Sequence, residues 1–161
     1  MFVNIWLDSI LIVILIACIV LSVILIRRKL IKLWHEASRL EVSFHNSLKA
    51  CMRHYLRYEE TLRPFDPGGQ LERIRQYASE NLRELPLETR QALHRSIQTI
   101  FVSLDETEVS GFPTFKEMFD TVQQNRLKYN SVVLYYNHTI QGFPVRFLAN
   151  RFGFKTKEYF G

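Results

Sequence analysis

The sequence predicts an all-α protein: an antiparallel helical bundle preceded by a transmembrane helix that continues into the first bundle helix. Residues 9–26 form a run of eighteen residues without a charge. Beyond this run, apolar residues recur at steps of three or four, as on one face of a helix. No stretch shows the two-residue alternation of a half-buried strand. We expect three long passes, the middle one broken near Pro86, and therefore three or four helices in the bundle.

The uncharged run, residues 9–26, has the length of a membrane span. At the helical rise it is about 27 Å long, close to the roughly 30 Å of bilayer hydrocarbon. Trp6 is placed to anchor the helix at the interface, and Asp8 to lie near the headgroups. A buried core helix is the alternative, but the 135 residues that follow are too few to surround so apolar a segment.

Two kinds of processing compete with a permanent anchor. A cleaved signal peptide needs a basic start and a small-residue cleavage site, whereas residues 1–9 carry no Lys or Arg and no Ala-x-Ala pattern follows. Leu15-Ile16-Ala17-Cys18 is similar to a lipoprotein box, but eight more uncharged residues, seven of them apolar, follow Cys18. A permanent span is therefore favoured over both.

The charges that flank the span predict its orientation. Arg27, Arg28, Lys29 and Lys32 follow the span, and no basic residue precedes it. The positive-inside rule then places residues 27–161 in the cytoplasm and residues 1–8 outside the cell (plasma or inner) membrane. We expect 27–161 to form one domain, with residues 145–161 as an aromatic and basic tail.

The bundle helices follow from periodicity and from helix breakers. No Gly or Pro interrupts residues 11–63, so the first bundle helix should grow directly out of the span until the Pro- and Gly-rich segment 64–69. A second helix is predicted at Gln70–Leu82, a fresh start or kink at Pro86, and a loop at 105–111. The last long helix should run from about Pro113 to Gln141, with Gly142 as its stop. From Leu30 the stripe of the first helix consists of Leu33, Ala37, Leu40, Phe44, Leu48, Cys51, Tyr55, Tyr58 and Leu62.

Charge and cysteine content exclude some classes of function. Residues 27–161 carry 21 basic and 15 acidic residues, an excess that suits either an anionic cytoplasmic leaflet or an ordinary solvated surface. Because the basic residues are dispersed along the sequence, nucleic acid is not expected as a partner. Cys18 lies in the span and Cys51 on an apolar helix face, so no disulfide is predicted.

The sequence offers no credible catalytic or metal-binding cluster. His35, His45 and His54 are ten and nine residues apart, so they point in different directions on one helix and cannot share a metal. The acidic segment 105–108 lacks the glycine-punctuated loop of a cation site, and Gly68-Gly69 is not followed by the Lys of a phosphate loop. We therefore predict no enzyme, no cofactor, no metal and no small-molecule substrate.

The C-terminal tail has two interpretations. Its aromatic residues either fold back and plug the end of the bundle, which is favoured, or dock on a membrane surface or partner. With three passes, the tail should end some 40–50 Å from the lipid by the helical rise, beyond surface contact. The candidate residues are Phe143, Pro144, Phe147, Phe152, Gly153, Phe154, Tyr159 and Phe160, interleaved with Arg146, Arg151, Lys155 and Lys157.

Several ordered fragments near the C-terminus resemble the LemA family of bacterial and archaeal proteins. They are Arg126-x-x-Tyr129-Asn130, Tyr136-Asn137-x-x-Ile140-x-x-Phe143-Pro144, Phe152-Gly153-Phe154 and Tyr159-Phe160, with Phe112-Pro113 before the last long helix. The resemblance covers residues 112–160, roughly a third of the chain. It implies an N-terminal membrane segment, an antiparallel helical bundle and no established catalytic activity, and it supplies no active-site residues.

Two hypotheses about function remain. The first is a membrane-anchored, non-enzymatic adaptor or scaffold that presents a helical bundle to protein partners. The alternative is a protein that binds or organises an anionic membrane surface. The first is favoured because no catalytic cluster is present and the span suffices for localisation.

Overall fold

The structure, a computed structural model, describes residues 2–66, 68–104, 109 and 111–160, with side chains described from Trp6 onward. All regular elements of these residues are helical, and no strand occurs among them, so the predicted all-α class is confirmed. The elements are α1 Phe2–Arg57, α2 Glu59–Leu62, a 3-10 helix Arg63–Phe65, α3 Gln70–Tyr77, α4 Leu87–Ser103, α5 Phe112–Gln141 and α6 Val145–Arg151.

Helix α1 joins the apolar run to the bundle without a break, as the absence of Gly and Pro predicted. Among the described residues it is the one helix long and apolar enough to cross a membrane, judged by length and composition. None of its most apolar 18-residue window is buried, so this segment is not a core helix of the fold. The helix ends at Arg57, earlier than predicted, because Tyr58 leaves the helical conformation; Pro64 then falls in the first turn of the 3-10 helix.

The region around Pro86 reverses the chain and does not merely kink a helix. Helix α3 is shorter than the predicted Gln70–Leu82; it begins where the Asp66 carboxylate accepts hydrogen bonds from the Gln70 and Leu71 amides. The Ser96 hydroxyl of α4 donates to the Gln70 side chain (2.8 Å) at the start of α3, whereas Tyr77 at its end lines the same groove as Glu88. Helices α3 and α4 therefore pack antiparallel.

The described chain divides into two compact units. Unit 1 comprises residues 1–37 and 132–157, and unit 2 comprises residues 38–131 and 158–161. Helices α1 and α5 each contribute residues to both units. The prediction that 27–161 form one domain stays a prediction.

The core of unit 2 lies between α1, α3, α4 and α5. Phe115 near the start of α5 contacts Tyr55 and Tyr58 near the end of α1. Further along α5, Tyr129 meets Phe160, which in turn packs on Phe44 of α1. The two helices therefore run antiparallel within this unit, as the bundle prediction required. Other buried side chains of this core are Leu48, Met52, Leu62, Leu71, Ile74, Leu93, Ile97, Ile100 and Val122.

The core of unit 1 brings the end of the apolar run together with the C-terminal part of the chain. Its buried residues come from α1, the last turns of α5, and α6, and they are Leu30, Leu33, Tyr136, Ile140 and Ala149. Ile26, Val145 and Phe154 pack against this cluster and are partly buried. Because Ile26 is the last residue of the uncharged run, α6 lies beside the point where that run ends.

Candidate functional site

The basic residues that flank the predicted span are exposed and two of them contact aromatic rings. Arg27, Arg28, Lys29 and Lys32 all lie at the surface, as does Trp6 at the other end of the run. The Arg27 guanidinium carbon is 5.4 Å from the centre of the Phe152 ring, and Lys29 Nζ is 5.4 Å from that of Tyr135. A hydrogen bond from Lys29, reinforced by its charge, lowers the pKa of the Tyr135 phenol.

The prediction that the tail lies 40–50 Å from the lipid is wrong. Phe152 contacts Arg27, the first residue after the uncharged run, and Phe154 joins the cluster that includes Ile26. The reason is the reversal between α3 and α4. In unit 1, α6 and Phe154 consequently lie beside the end of the uncharged run, whereas Phe160 at the end of the tail packs on Phe44 in unit 2.

The tail residues fall into a buried and an exposed group. Phe160 is 2% exposed, and Phe154 is half-buried. Phe143 and Phe147, by contrast, are 85% and 70% exposed, with their ring centres 6.1 Å apart. The remaining candidates, Phe152, Gly153, Tyr159 and Pro144, lie at the surface, and Gly153 has a φ of +75°, a left-handed conformation that favours glycine.

In unit 2, three side chains of α5 bind the backbone of the last described residues. The Asn130 side-chain amide donates to the Phe160 carbonyl (2.6 Å) and accepts from the Phe160 N–H (2.9 Å). Arg126 donates to the same carbonyl, and the Tyr129 hydroxyl donates to the Glu158 carbonyl at 2.9 Å. The Phe160 ring packs at the same place on Phe44, His45 and Tyr129, with the Arg90 guanidinium 5.0 Å from its centre.

In unit 1, α5 binds the preceding part of the tail in the same manner. The Asn137 side-chain amide donates to the Lys157 carbonyl (2.8 Å) and accepts from the Lys157 N–H (2.9 Å). The Tyr136 hydroxyl donates to the Lys155 carbonyl at 2.8 Å. Asn130 and Asn137 are two helical turns apart, so both project toward one face of α5. Extended backbone at the C-terminus is thereby hydrogen-bonded without a sheet.

These α5 side chains belong to the sequence fragments that resemble the LemA family. Residues 114–161 match the model of the LemA family. The recognition is thus confirmed over the C-terminal segment, and the LemA-like positions Arg126, Tyr129, Asn130, Tyr136 and Asn137 all bind the tail backbone. No curated protein and no solved structure matches the chain. The LemA family is of no known enzymatic activity.

Two buried histidines of unit 2, His45 and His94, contact the Phe44 ring on which Phe160 packs. Arg90 Nη1 lies 3.2 Å from His45 Nε2, and because Arg only donates, this nitrogen accepts and the imidazole is neutral. Burial, with Arg90 beside it, lowers the pKa of His45 to about 4. Burial likewise lowers the pKa of His94 to about 4, and Gln123 is its hydrogen-bond partner at 3.2 Å. The Nδ1 atom of each imidazole is buried and has no hydrogen-bond partner among the described residues.

The described residues bring together no metal-binding constellation. No group of three His, Cys, Asp or Glu side chains among them is close enough to hold an ion. The acidic segment 105–108, weighed above as a cation site, lies outside the described residues. Between α1 and α5 of unit 2 there is a groove of about 180 Å³ lined by Ser47, Ala50, Thr114, Glu117, Met118 and Thr121. Of the residues that line it, only Glu117 is ionisable.

Sequence reasoning missed the role of Asn130 and Asn137. Both appeared only as parts of a family pattern, and no function was inferred for them. The available signal was the spacing of seven residues between two Asn-containing aromatic pairs, Tyr129-Asn130 and Tyr136-Asn137, on one helix. That repeat places two amides on the same face, where they bind an extended segment.

Proposed function

We propose that this protein is a single-pass membrane-anchored adaptor that holds a non-enzymatic helical bundle at the cytoplasmic face of a cell membrane for protein partners. The observation that carries the proposal is the continuity of α1, whose unburied apolar window runs directly into the bundle. Exposed apolar side chains favour a hydrocarbon environment, and a helix is compatible with it because its backbone hydrogen bonds are made within the helix.

A continuous helix is also a mechanical link. Between the end of the uncharged run at Ile26 and Arg57, α1 contains no Gly, Pro or break. Helices kink at such interruptions, so their absence favours a stiff connection. The bundle is then held next to the bilayer and is not free to diffuse on a flexible linker.

The surface of unit 2 suits protein partners better than nucleic acid. Its residues include thirteen Lys or Arg and fourteen Asp or Glu, a net charge of −1. Nucleic-acid binding depends on a positive surface. Exposed apolar side chains are present instead on two helices, Val102 at the end of α4 and Leu127 on α5.

Site-specific photo-crosslinking in cells tests the adaptor function. A photoreactive residue is placed at Val102 or Leu127 of the full-length chain, with Gln98 and Gln124, which are exposed polar positions on the same helices, as matched controls. We expect discrete adducts with one protein from an apolar position, and their loss when residues 1–26 are removed. Adducts from none of the four positions contradict an adaptor, and adducts unaffected by the truncation contradict the need for a tether.

A second function, organisation of an anionic membrane surface, is favoured by the distribution of charge. Unit 1 contains eight Lys or Arg and two acids, a net charge of +6, which exceeds the +5 of the whole chain. Basic clusters next to a span attract anionic lipids at the cytoplasmic leaflet. Mass spectrometry of the lipids that copurify with the full-length protein should therefore show enrichment of anionic species over the membrane average; equal proportions contradict this function.

A further inference from the structure

The turn between α5 and α6 exposes a pair of aromatic rings. Phe143 and Phe147 contact one another edge to face, at an interplanar angle of 87°. Large apolar rings of this kind gain most from burial, and a side-by-side pair marks a contact surface more strongly than scattered single residues do. The chain buries Phe160 almost completely, but it leaves these two rings at the surface.

The position of this turn indicates which environment the exposed aromatic pair contacts. Val145 and Ala149 of α6 pack in the same cluster as Ile26 and Leu30, which are the last residue of the uncharged run and the first buried residue beyond it. The Phe152 ring at the end of α6 lies against Arg27. The exposed aromatic pair is therefore carried by a helix that packs where the apolar run ends.

The charges around the pair are of one sign. Arg146 and Arg151 of α6 are exposed, as are Arg27 and Arg28 on α1. Residues 132–157 contain no Asp or Glu, and the first acid after the uncharged run is Glu36. Exposed aromatic rings combined with basic side chains are typical of helices that lie in a membrane interface.

We propose that the α5–α6 turn is a second membrane contact, in which Phe143 and Phe147 insert into the leaflet where the span ends, and Arg27, Arg28, Arg146 and Arg151 bind anionic phospholipid headgroups. The observations that select lipid over a protein partner are continuity with the apolar run through Ile26 and the uniformly positive rim. The rings fill the interfacial apolar layer, and the guanidinium groups pair with phosphate above it.

The inference rests on the membrane span of the proposed function, so its test must separate the two. Full-length protein is reconstituted into vesicles that contain anionic lipid and lipids brominated on the upper acyl chain, which quench tryptophan on contact. The variant Phe147→Trp reports on the turn, and Leu127→Trp, exposed on α5 in unit 2, is the matched control. The chain has a second native tryptophan, Trp34, so every protein in this experiment, including the reference called wild type, carries Trp34→Phe. Trp6, at the other end of the uncharged run, is then the one native tryptophan and reports on the span itself.

We expect the bromolipids to quench the added emission of Phe147→Trp and not that of Leu127→Trp. Quenching of wild-type Trp6 without quenching of Phe147→Trp overturns the second contact and leaves the span intact. Absence of quenching at Trp6 as well overturns the span. Helical content measured by circular dichroism verifies that each variant is folded. If Phe147→Trp does not fold, Phe143→Trp replaces it as the reporter of the turn.

The role of the basic rim is tested with the same readout. Replacing Arg146 and Arg151 together by Gln, or omitting anionic lipid from the vesicles, should reduce the quenching of Phe147→Trp. Undiminished quenching in both cases overturns the headgroup assignment. Photo-crosslinking from position 143 completes the test: adducts with lipid support the proposal, whereas adducts with a second copy of the chain or another protein overturn it.

Discussion

Phe160 and Phe152 are two aromatic residues of the tail that should contribute differently to the stability of the fold. Phe160 lies among Phe44, His45 and Tyr129 with its backbone held by Asn130, whereas Phe152 is 37% exposed and contacts Arg27. The free energy of unfolding depends on the apolar surface that a substitution uncovers and on the cavity that it leaves. The two residues should therefore respond differently to truncation.

Phe160→Ala should lower the free energy of unfolding by roughly 3–5 kcal/mol, the usual range for a buried Phe. Phe152→Ala should have a clearly smaller effect, and Phe147→Ala, at a mostly exposed position, should have almost none in detergent. Chemical unfolding of the full-length protein in mild detergent measures all three. A negligible loss for Phe160→Ala, no larger than that expected for Phe147→Ala, would show that the C-terminal ring does not stabilise the fold.

The buried histidines predict that stability falls with acid. The groups that face them are Arg90, Glu41 and Arg83 around His45, and Arg126, Gln123 and Arg95 around His94. Each folded-state pKa is lowered to about 4, so below the unfolded value of 6.5 the unfolded chain binds protons that the folded chain does not. The contribution of the two neutral histidines to the free energy of unfolding is therefore fully present above pH 6.5. It is lost as the pH falls toward 4, by about 1.4 kcal/mol per pH unit for each histidine.

The variant His94→Gln isolates one of these contributions. It removes one titrating group, so the dependence of unfolding free energy on pH between 6 and 4.5 should become shallower by about 1.4 kcal/mol per pH unit. Denaturant unfolding at a series of pH values provides the slopes. An unchanged slope would show that His94 is already protonated, or equally accessible, in the folded state.

At the scale of elements, α5 is the scaffold for the tail. Its Asn130 and Asn137 side chains each satisfy both backbone groups of one tail residue, the task that a neighbouring strand performs in a sheet. Two hydrogen bonds from one side chain fix the direction and the register of the extended segment. This is how the described segment after α6, residues 152–160, is held without regular secondary structure of its own.

Asn130→Ala should destabilise the protein by roughly 2–3 kcal/mol, because it removes two hydrogen bonds and leaves the Phe160 amide and carbonyl without this partner. Asn130→Asp should be intermediate, since a carboxylate still accepts from the Phe160 N–H but cannot donate to the carbonyl. Gln124→Ala, exposed on the same helix, is the control. Amide hydrogen exchange of residues 154–160 should accelerate in both Asn130 variants; unaltered exchange would contradict the role of this side chain.

The elements also show what the sequence predicts well and what it does not. The continuity of α1 and the position of α5 follow from periodicity and from the breakers around them, because these are local properties of the chain. The direction of each pass is not local. Pro86 is compatible with a kink or with a reversal, and only the packing of Ser96 against Gln70 selects the reversal. The wrong prediction of the tail's position followed from this one turn, whose direction the sequence does not determine.

The burial of individual tail aromatics is equally non-local. Phe147 and Phe160 both lie in a segment rich in Phe and in basic residues, so composition does not separate them. What separates them is an acceptor and donor at Asn130, and a recess formed by Phe44, His45 and Tyr129, on elements distant in sequence. Short α6, with seven residues, was similarly not predicted as a helix.

At the scale of the whole molecule, charge is divided between the two units. Unit 1 carries +6, whereas unit 2 carries −1, although the basic residues look dispersed along the sequence. Four of the eight basic residues of unit 1 follow the uncharged run directly, and the other four come from α6 and the tail. Folding thus adds a second set of positive charges to the set that the positive-inside rule uses.

This concentration of charge strengthens the predicted orientation, with residues 27–161 in the cytoplasm. The native cysteines do not obscure a labelling test, because Cys51 is fully buried with a pKa raised to about 12, and Cys18 lies within the uncharged run. Lys128→Cys, at an exposed position of α5, should resist a membrane-impermeant thiol reagent in intact cells and react after lysis. Asn4→Cys, on the other side of the span, should react in intact cells.

The opposite labelling expected for these two variants excludes poor access of the reagent as the reason for an unreactive thiol. An unreactive Lys128→Cys alone could reflect poor access to the thiol, but reaction after lysis removes that explanation. Reaction of Lys128→Cys in intact cells, with Asn4→Cys protected, would reverse the topology and would place all 21 Lys and Arg residues on the outer side of the membrane. A fold that gathers its positive charge beside the end of the span is expected to keep that end on the cytoplasmic side.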